Sequence, residues 1–491
     1  MPSTVSEGIP NWANKTIWTG DNLHIMRGLN SASVDLIYLD PPFNSNANYA
    51  APIGSKAAGA AFKDTWTLTD IDVEWINLIE QKHPKLYQIL LSAMNKSDKS
   101  YLVYMAARLL EMKRLLKPTG SIYLHCDPTM SHYLKLVMDA IFGRKNFRNE
   151  IIWKRATSRS DGKHFGNVHD VILFYKGSSK SFVWNNIYDP LDPKYVKKHY
   201  TDLDYRSNRF GPFRKGDLTA PGTRDGESGQ SWRGANPTDS NRHWAVPIKG
   251  NYAKWIERNV IPNYRTIKDI HERLDLLDNY DFICWPAKQG GMPSLKRYLS
   301  ASRGTKVNDV IINIPPLQAN SSEDTGFETQ KPLELLKRFL RASSDYDDII
   351  LDPFCGCATT CVAADDLGRN WIGIDISEKA AELVVRRIEE RQGLFRDIVH
   401  RTDVPERTDI RHIRRYNSPA NKKHLYGEQA GNCAGCGHHF QVQHLEVDHI
   451  ISRKKGGADH LENLQLLCPH CNRTKGDRGM AYLQTKLQLA A

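Results

Sequence analysis

Ser33-Val34-Asp35-Leu36-Ile37-Tyr38-Leu39-Asp40-Pro41-Pro42-Phe43 is a short, branched apolar run that stops at an acid and two prolines. This is how a buried parallel strand ends at a functional loop. Downstream, Tyr101 to Leu116 has helical spacing (Leu102, Met105, Leu109, Met112, Leu116), and Lys117-Pro118-Thr119-Gly120 reads as a helix stop followed by a turn. Ser121 to Cys126 is then the next strand and His132 to Phe142 the next helix. The same alternation returns late in the chain: Pro332 to Leu340 as a helix, Asp348 to Leu351 as a strand, Thr359 to Leu367 as a helix and Trp371 to Asp375 as a strand. Alternation of this kind predicts an α/β sheet.

Between about Trp153 and Gln330 the pattern loosens, and Gly, Pro, Asn, Arg, Lys and aromatic residues dominate. From Arg391 to Asn421 the chain is polar and rich in arginine, which suits a linker or an exposed helix. The 491 residues are enough for two or three domains, and 40% apolar with 25% charged residues is ordinary for a soluble globular protein. The net charge of +11 is uneven, with 27 basic against 20 acidic residues over 151–330 and 14 against 9 over 401–491. Such an excess suits a partner that is a polyanion, although solvated surface lysines would give the same count. No apolar h-region opens the chain and no window reaches the length of a membrane span, so the expectation is a cytoplasmic protein with no membrane partner. Of nine cysteines, four form two Cys-x-x-Cys pairs, Cys433/Cys436 and Cys468/Cys471. In a reducing compartment that spacing predicts a tetrahedral zinc site rather than disulfides.

Asp352-Pro353-Phe354-Cys355-Gly356-Cys357, at a strand end and opening a helix, aims backbone N–H groups at a ligand, and Asp375, nineteen residues after Gly356, is spaced to bind ribose hydroxyls. Taken alone, the turn serves equally as a tight βα connection with a solvated aspartate. Asp352 to Thr360, together with Thr329-Gln330-Lys331-Pro332 and Leu335-Leu336-Lys337-Arg338, resembles the cofactor region of amino-group DNA methyltransferases. Gly20-Asp21-Asn22-Leu23 looks like a further motif of that family, whose carboxylate meets the cofactor's adenine. The order, acceptor motif first and cofactor motif last, is that of the β-type permutation, and the likeness runs from Trp12 to Gln392. It implies a Rossmann-like methyltransferase sheet that binds S-adenosylmethionine through Asp21, Lys331, Asp352, Phe354, Gly356, Cys357, Thr359 and Asp375. One departure stands out: Gly356-Cys357-Ala358 replaces a Gly-Ser-Gly-like turn, and Ala358 would weaken cofactor binding if its position requires positive φ.

On the same resemblance, Asp40, Pro41, Pro42 and Phe43 form the acceptor site. An exocyclic amino group is a poor nucleophile because its lone pair is delocalised into the base, and a carboxylate that accepts its hydrogen bond sharpens it. The prolines stiffen the loop, and Phe43 offers a face on which a base extruded from double-stranded DNA can stack. Asp in the first position resembles the adenine-N6 branch more than the cytosine-N4 branch. Cys355, Cys357 and Cys361 are expected to be small buried residues, since in-line methyl transfer needs no covalent enzyme intermediate.

The C-terminal cysteines bracket Glu446-Val447-Asp448-His449-Ile450, Gly456-Gly457, Asn463 and Asn472. This resembles the ββα-metal nucleases of the HNH family. The resemblance implies His449 as general base, Asn463 as the residue that orients the His449 backbone or ring, and Asp448 with Asn472 as ligands of a magnesium-like divalent ion, with Lys454, Lys455, Arg473 and Lys475 placed for phosphates. A zinc ribbon that only binds DNA is the alternative. The expected domains are 12–152 (acceptor half), 153–328 (target recognition), 329–395 (cofactor half), 396–420 (basic linker) and 421–491 (zinc-stapled nuclease-like module). The combined reading is a site-specific adenine-N6 DNA methyltransferase with an HNH-like endonuclease module, of restriction-modification type. Cytosine-N4 or RNA methylation, a non-catalytic zinc tail and a homodimer all stay open.

Overall fold

The computed structural model describes residues 8–43, 48–50, 61–63, 79–80, 82–156, 163, 165–203, 210–288, 290–318, 321, 323–327, 329–392, 397–409, 415–455, 457, 459 and 461–489. Among them, nine strands form one sheet: β1 (Thr16–Thr19), β2 (Val34–Leu39), β3 (Leu116–Cys126), β4 (Phe147–Lys154), β5 (His169–Lys176), β6 (Val310–Ile311), β7 (Ile349–Asp352), β8 (Asn370–Asp375) and β9 (Val399–Arg401). Their spatial order is β6-β4-β5-β3-β2-β7-β8-β1-β9. β5 runs antiparallel to both of its neighbours, and every other adjacent pair is parallel.

The apolar run of β2 is buried on both faces, as a central parallel strand requires. On one side Ile37 and Leu39 join Leu102, Met105 and Leu109 of helix α1 (Lys96–Leu115). On the other, Leu36 and Tyr38 join Leu336 and Phe339 of helix α2 (Leu333–Ser343). β2 pairs directly with β7, Leu36 with Ile350 and Ile37 with Leu351, so segments about 310 residues apart lie side by side. Both strands end at the same edge of the sheet, one at Asp40 and the other at Asp352. In open parallel sheets ligands bind at this carboxyl edge.

Several boundaries differ from expectation. Lys117 to Gly120 is no turn: α1 stops at Leu115, and β3 begins at Leu116 with a register shift against β2. The next helix starts earlier, at Pro128, because Asp127 accepts a hydrogen bond from the Met130 amide and Pro128 fits the first turn. It ends at Met138 and passes into a π-turn over Asp139–Gly143. The loosened middle region is narrower than 153–328: β5 and β6 belong to the main sheet, and the separate compact unit is Asn186–Val307. That unit has its own aromatic core, including Phe213, Trp232, Trp244, Tyr264, Phe282 and Tyr298, beside a three-stranded antiparallel sheet. The arginine-rich stretch is not wholly a linker either, because Val399–Arg401 is the edge strand β9, and the Asn30 side chain accepts hydrogen bonds from the Thr408 and Asp409 amides.

The C-terminal module is an antiparallel pair, Glu446–His449 with Leu464–Leu467, followed by a short helix, Pro469–Lys475. Its core is small, built on Leu445, Leu466, Leu467 and Leu483 with three of the cysteines. No helix among the described residues is long and apolar enough to cross a membrane.

One close approach fixes the spacing between β8 and the turn after β7. A Cβ on Gly373 would lie 3.0 Å from Cys361 Sγ and 3.2 Å from Cys355 Sγ, so the two buried thiols pack onto bare backbone. Gly373→Ala is therefore expected to lower stability by about 1–3 kcal/mol through overpacking. Urea unfolding checks this, and an unchanged midpoint would contradict it.

Candidate active sites

The turn after β7 is held by its own polar groups. Asp352 accepts from the Phe354 amide (3.1 Å), the Cys355 amide donates to the Ile374 carbonyl (3.0 Å), and Asp375 accepts from the Gly356 amide (2.8 Å) and the Ser377 amide (2.9 Å). Burial raises the Asp375 carboxyl, and pushes Asp352 up to about 7. Gly356 (φ +47°) and Ala358 (φ +59°) are both left-handed. The positive φ anticipated for Ala358 is present, but its methyl does not meet the ligand space: Ala358 is fully buried in the core on the α2 side of the sheet and does not line the cavity. Thr359, buried, accepts from Arg387 (3.2 Å) and opens the helix Thr359–Asp366.

The N-terminal half is tied to this turn. Asp21 caps the helix Asn22–Gly28 and pairs with Arg108 (3.0 Å), Arg108 donates to the Asn22 side chain (2.6 Å), and Asn22 donates to the Pro353 carbonyl (2.6 Å). Arg108 is a site residue that sequence reading missed. Its guanidinium lies 3.4 Å over the ring of Tyr104, one turn earlier on α1, and both line the cavity. The i, i+4 spacing of Tyr104 and Arg108 was the available signal, but it stood inside the otherwise apolar stretch Tyr101 to Leu110.

Most of these groups open onto one cavity of about 410 Å³, lined by Asp21, Asp40, Pro41, Pro42, Phe43, Lys331, Asp352, Phe354, Gly356, Cys357, Thr359 and Asp375 among others. That is the size of a cofactor pocket. The donor set fits S-adenosylmethionine: carboxylates for its cationic and hydroxyl groups, turn amides, and apolar walls including Ile376 and Phe327.

Lys331 does not join the cofactor turn. Its ammonium lies 2.5 Å from Asp40 Oδ2, 3.1 Å from the Thr329 carbonyl and 5.2 Å from the centre of the Phe43 ring, which places it at the Asp40 end of the cavity. Asp40 Oδ1 is buried and has no hydrogen-bond partner among the described residues. Behind Phe43 runs a buried relay that sequence reading also missed. The Tyr38 hydroxyl meets His125 Nδ1 (2.7 Å), His125 Nε2 meets Asp170 (3.1 Å), and the His125 ring faces Phe43 at 5.9 Å and 28°. Burial pushes the Asp170 carboxyl up, yet the hydrogen bond to His125 holds it below the usual carboxylate value. These three come from β2, β3 and β5, so only the strand order brings them together.

In the C-terminal module the four sulfurs of Cys433, Cys436, Cys468 and Cys471 lie within 4.8 Å of one another, suited to a tetrahedral ion. His449 is buried, and its Nε2 meets Asp459 (2.8 Å), which Arg453 also binds. Asp459, unremarked in the sequence, is therefore the carboxylate partner of His449. Asn463 holds the backbone of Ile451 (2.9 and 3.0 Å) instead of His449 itself, clamping the loop that follows the strand. A Cβ on Gly457 would collide with the Ile451 carbonyl at 1.7 Å, so that loop needs its glycine. Asp448 accepts from Gln465 (2.9 Å) and pairs with Lys475 (3.1 Å), while Asn472 donates to Glu446 (2.6 Å). Lys475 is not a phosphate contact: it is fully buried and also donates to the His449 carbonyl (2.8 Å).

The raised Asp352 carboxyl has a pH signature. Between about pH 4 and 7 the folded chain holds a proton that the unfolded chain has lost, so stability falls as pH rises through that window. Asp352→Asn keeps the acceptor for the Phe354 amide and removes the titration. The stability gap between variant and wild type should widen from about pH 5 to 7 and then level off, with a ceiling of about 4 kcal/mol at 1.36 kcal/mol per pKa unit. Thermal melts across that range check this, and a gap independent of pH would contradict it.

Comparison with known proteins agrees with this geometry. Residues 34–386 match the DNA methylase family and residues 433–478 the HNH endonuclease family. The type II methyltransferase M.EcaI of Enterobacter cloacae is 29% identical over 399 residues, which is 81% of this chain and 74% of that enzyme. The Mod subunit of the type III restriction-modification enzyme StyLTI from Salmonella typhimurium is 26% identical over 70% of this chain, which spans 49% of that subunit. The DNA adenine methyltransferase YhdJ of Escherichia coli is 23% identical over 76% of this chain and 83% of its own length. The chain belongs to the DNA methylase family and carries an HNH endonuclease domain near its C-terminus.

Proposed function

We propose that the chain transfers a methyl group from S-adenosylmethionine to adenine N6 at a specific DNA sequence, and that its C-terminal module cuts DNA, in a restriction-modification arrangement. The observation that carries the methylation reading is the unpartnered Asp40 Oδ1 in the same cavity as the Asp352–Gly356 turn. Asp40 lines this cofactor-sized space, and a buried carboxylate oxygen without a partner has an unused acceptor position, for which an exocyclic amino group is a fitting donor. Bound S-adenosylmethionine would supply an electrophilic methyl group. Asp21 and Asp375 would hold its polar groups, the turn 353–357 its backbone contacts, and Phe43 a stacking face for the extruded base. The aspartate at position 40 and the adenine-specific relative YhdJ both favour adenine. The unit 186–307 supplies the basic and amide side chains that reading a DNA site requires.

For the C-terminal module, His449 with Asp459 is a base and its orienting carboxylate. The four cysteines would hold zinc, and Asp448, Asn472 and Glu446 would hold a magnesium-like ion. One observation favours a second reading, a zinc module that only binds DNA: the Asp448 carboxylate is already engaged by Lys475 and Gln465.

Incubating the full chain with unmethylated DNA and magnesium, with and without S-adenosylmethionine, and scoring methylated bases and strand breaks on the same molecules tests both heads. N6-methyladenine and breaks are expected, and His449→Ala should abolish the breaks and leave methylation intact. Methylation with no breaks in either protein would favour the zinc-tether reading, and methylcytosine would overturn the adenine assignment. Native mass spectrometry should find one zinc ion per chain, lost in Cys436→Ser; a metal-free wild-type protein would contradict the four-thiolate site.

A further inference from the structure

Lys331 is a buried lysine held by specific partners. It is 8% exposed, and its ammonium sits between Asp40 Oδ2 at 2.5 Å and the Thr329 carbonyl at 3.1 Å, beside the Phe43 ring. An ion pair formed only for stability would be expected to leave neither carboxylate oxygen stranded. Here one oxygen is taken and the other, Oδ1, is buried with no partner among the described residues, in a side chain that lines the cavity. The two residues are 291 positions apart, one at the end of a central strand and the other just ahead of helix α2, so their meeting is a product of the fold.

We infer that Lys331 is a positioning residue for methyl transfer, acting through Asp40 and Phe43 and not through the cofactor. Its ammonium fixes Oδ2 and so decides which oxygen faces the incoming amino group. A carboxylate free to rotate would divide its time between orientations, and aim matters most for a charge in a dry site. In the transfer itself, the amino nitrogen forms its bond to the methyl carbon as the carbon–sulfur bond breaks, leaving that electron pair on sulfur. The nitrogen, now cationic, passes one proton to Asp40 Oδ1, and Lys331 keeps its protons throughout. Its position beside Phe43 also supports the ring on which the base stacks, opposite in charge to the ring's electron-rich face. The inference rests on the reading of Asp40 as the carboxylate that receives the amino group.

The test uses the full chain, labelled S-adenosylmethionine and unmethylated DNA, with methyl counted separately on adenine and cytosine, and S-adenosylhomocysteine as the probe of cofactor binding. Lys331→Ala should lower kcat at saturating cofactor by about 10²-fold, while the S-adenosylhomocysteine Kd stays within about threefold, a factor below the tenfold that 1.4 kcal/mol represents. Lys331→Arg should recover much of the rate, and in an Asp40→Asn background with residual activity Lys331→Ala should add little further loss. Two results would overturn the inference: an unchanged kcat with only a lower melting temperature, or a loss that more cofactor restores together with a weaker S-adenosylhomocysteine Kd. Methyl found on cytosine would remove the adenine assignment and leave Lys331 in its role. An Asp40→Asn variant as fast as wild type would remove the reading of Asp40, and Lys331 with it.

Discussion

The parallel pairing of β2 with β7 is the constraint on which the methyltransferase site depends. Leu36 against Ile350 and Ile37 against Leu351 set a register that no residue outside those strands can supply. A slip by one residue would turn Tyr38 and its neighbours to the opposite face and separate Asp40 from the turn that follows Asp352. The chain accordingly buries both faces of these strands, with α1 on one side and α2 on the other, so that register and burial enforce each other.

Around that pairing the structure gathers paired polar groups, most of them buried. Asp40 with Lys331, Asp21 with Arg108, and Tyr38 with His125 and Asp170 each join segments distant in sequence, and each is at or just behind the cavity wall. Burial raises Asp352 and Asp375, whose carboxylates hold the turn amides in place. A site arranged this way has its dipoles fixed before a ligand arrives, which is what lets electrostatics lower a barrier without reorganisation at the moment of reaction. The C-terminal module follows the same logic with a smaller core: a cluster of four cysteine side chains takes the place of apolar area, and the buried Lys475 and Asp459 fix His449 from its backbone and its ring.

Much of this was legible in the sequence where a local rule governs. The run before Asp40, the strand before Asp352 and the paired Cys-x-x-Cys motifs each state their structure within ten residues. What escaped was set by tertiary pairing. Lys331 reads as part of the segment leading to the cofactor turn, and only the fold turns its ammonium toward Asp40. His125 sits in an apolar strand with nothing nearby to mark it as polar-paired, because its partners lie 87 and 45 residues away. Asp459 is ten residues past His449, across a glycine-dependent loop. The expected limits of the middle region failed for a related reason: β5 and β6 are short apolar runs set in polar surroundings, and only their neighbours in the sheet show that they belong to the core.

The central claim, that motifs from both ends of the domain build one pocket, is tested most directly by amide hydrogen exchange with and without S-adenosylhomocysteine. Slowed exchange is expected at two separated places together, residues 20–23 with the Asp40 loop and residues 353–359 after β7. Protection confined to 353–359, with the N-terminal segments unaffected, would contradict a shared pocket.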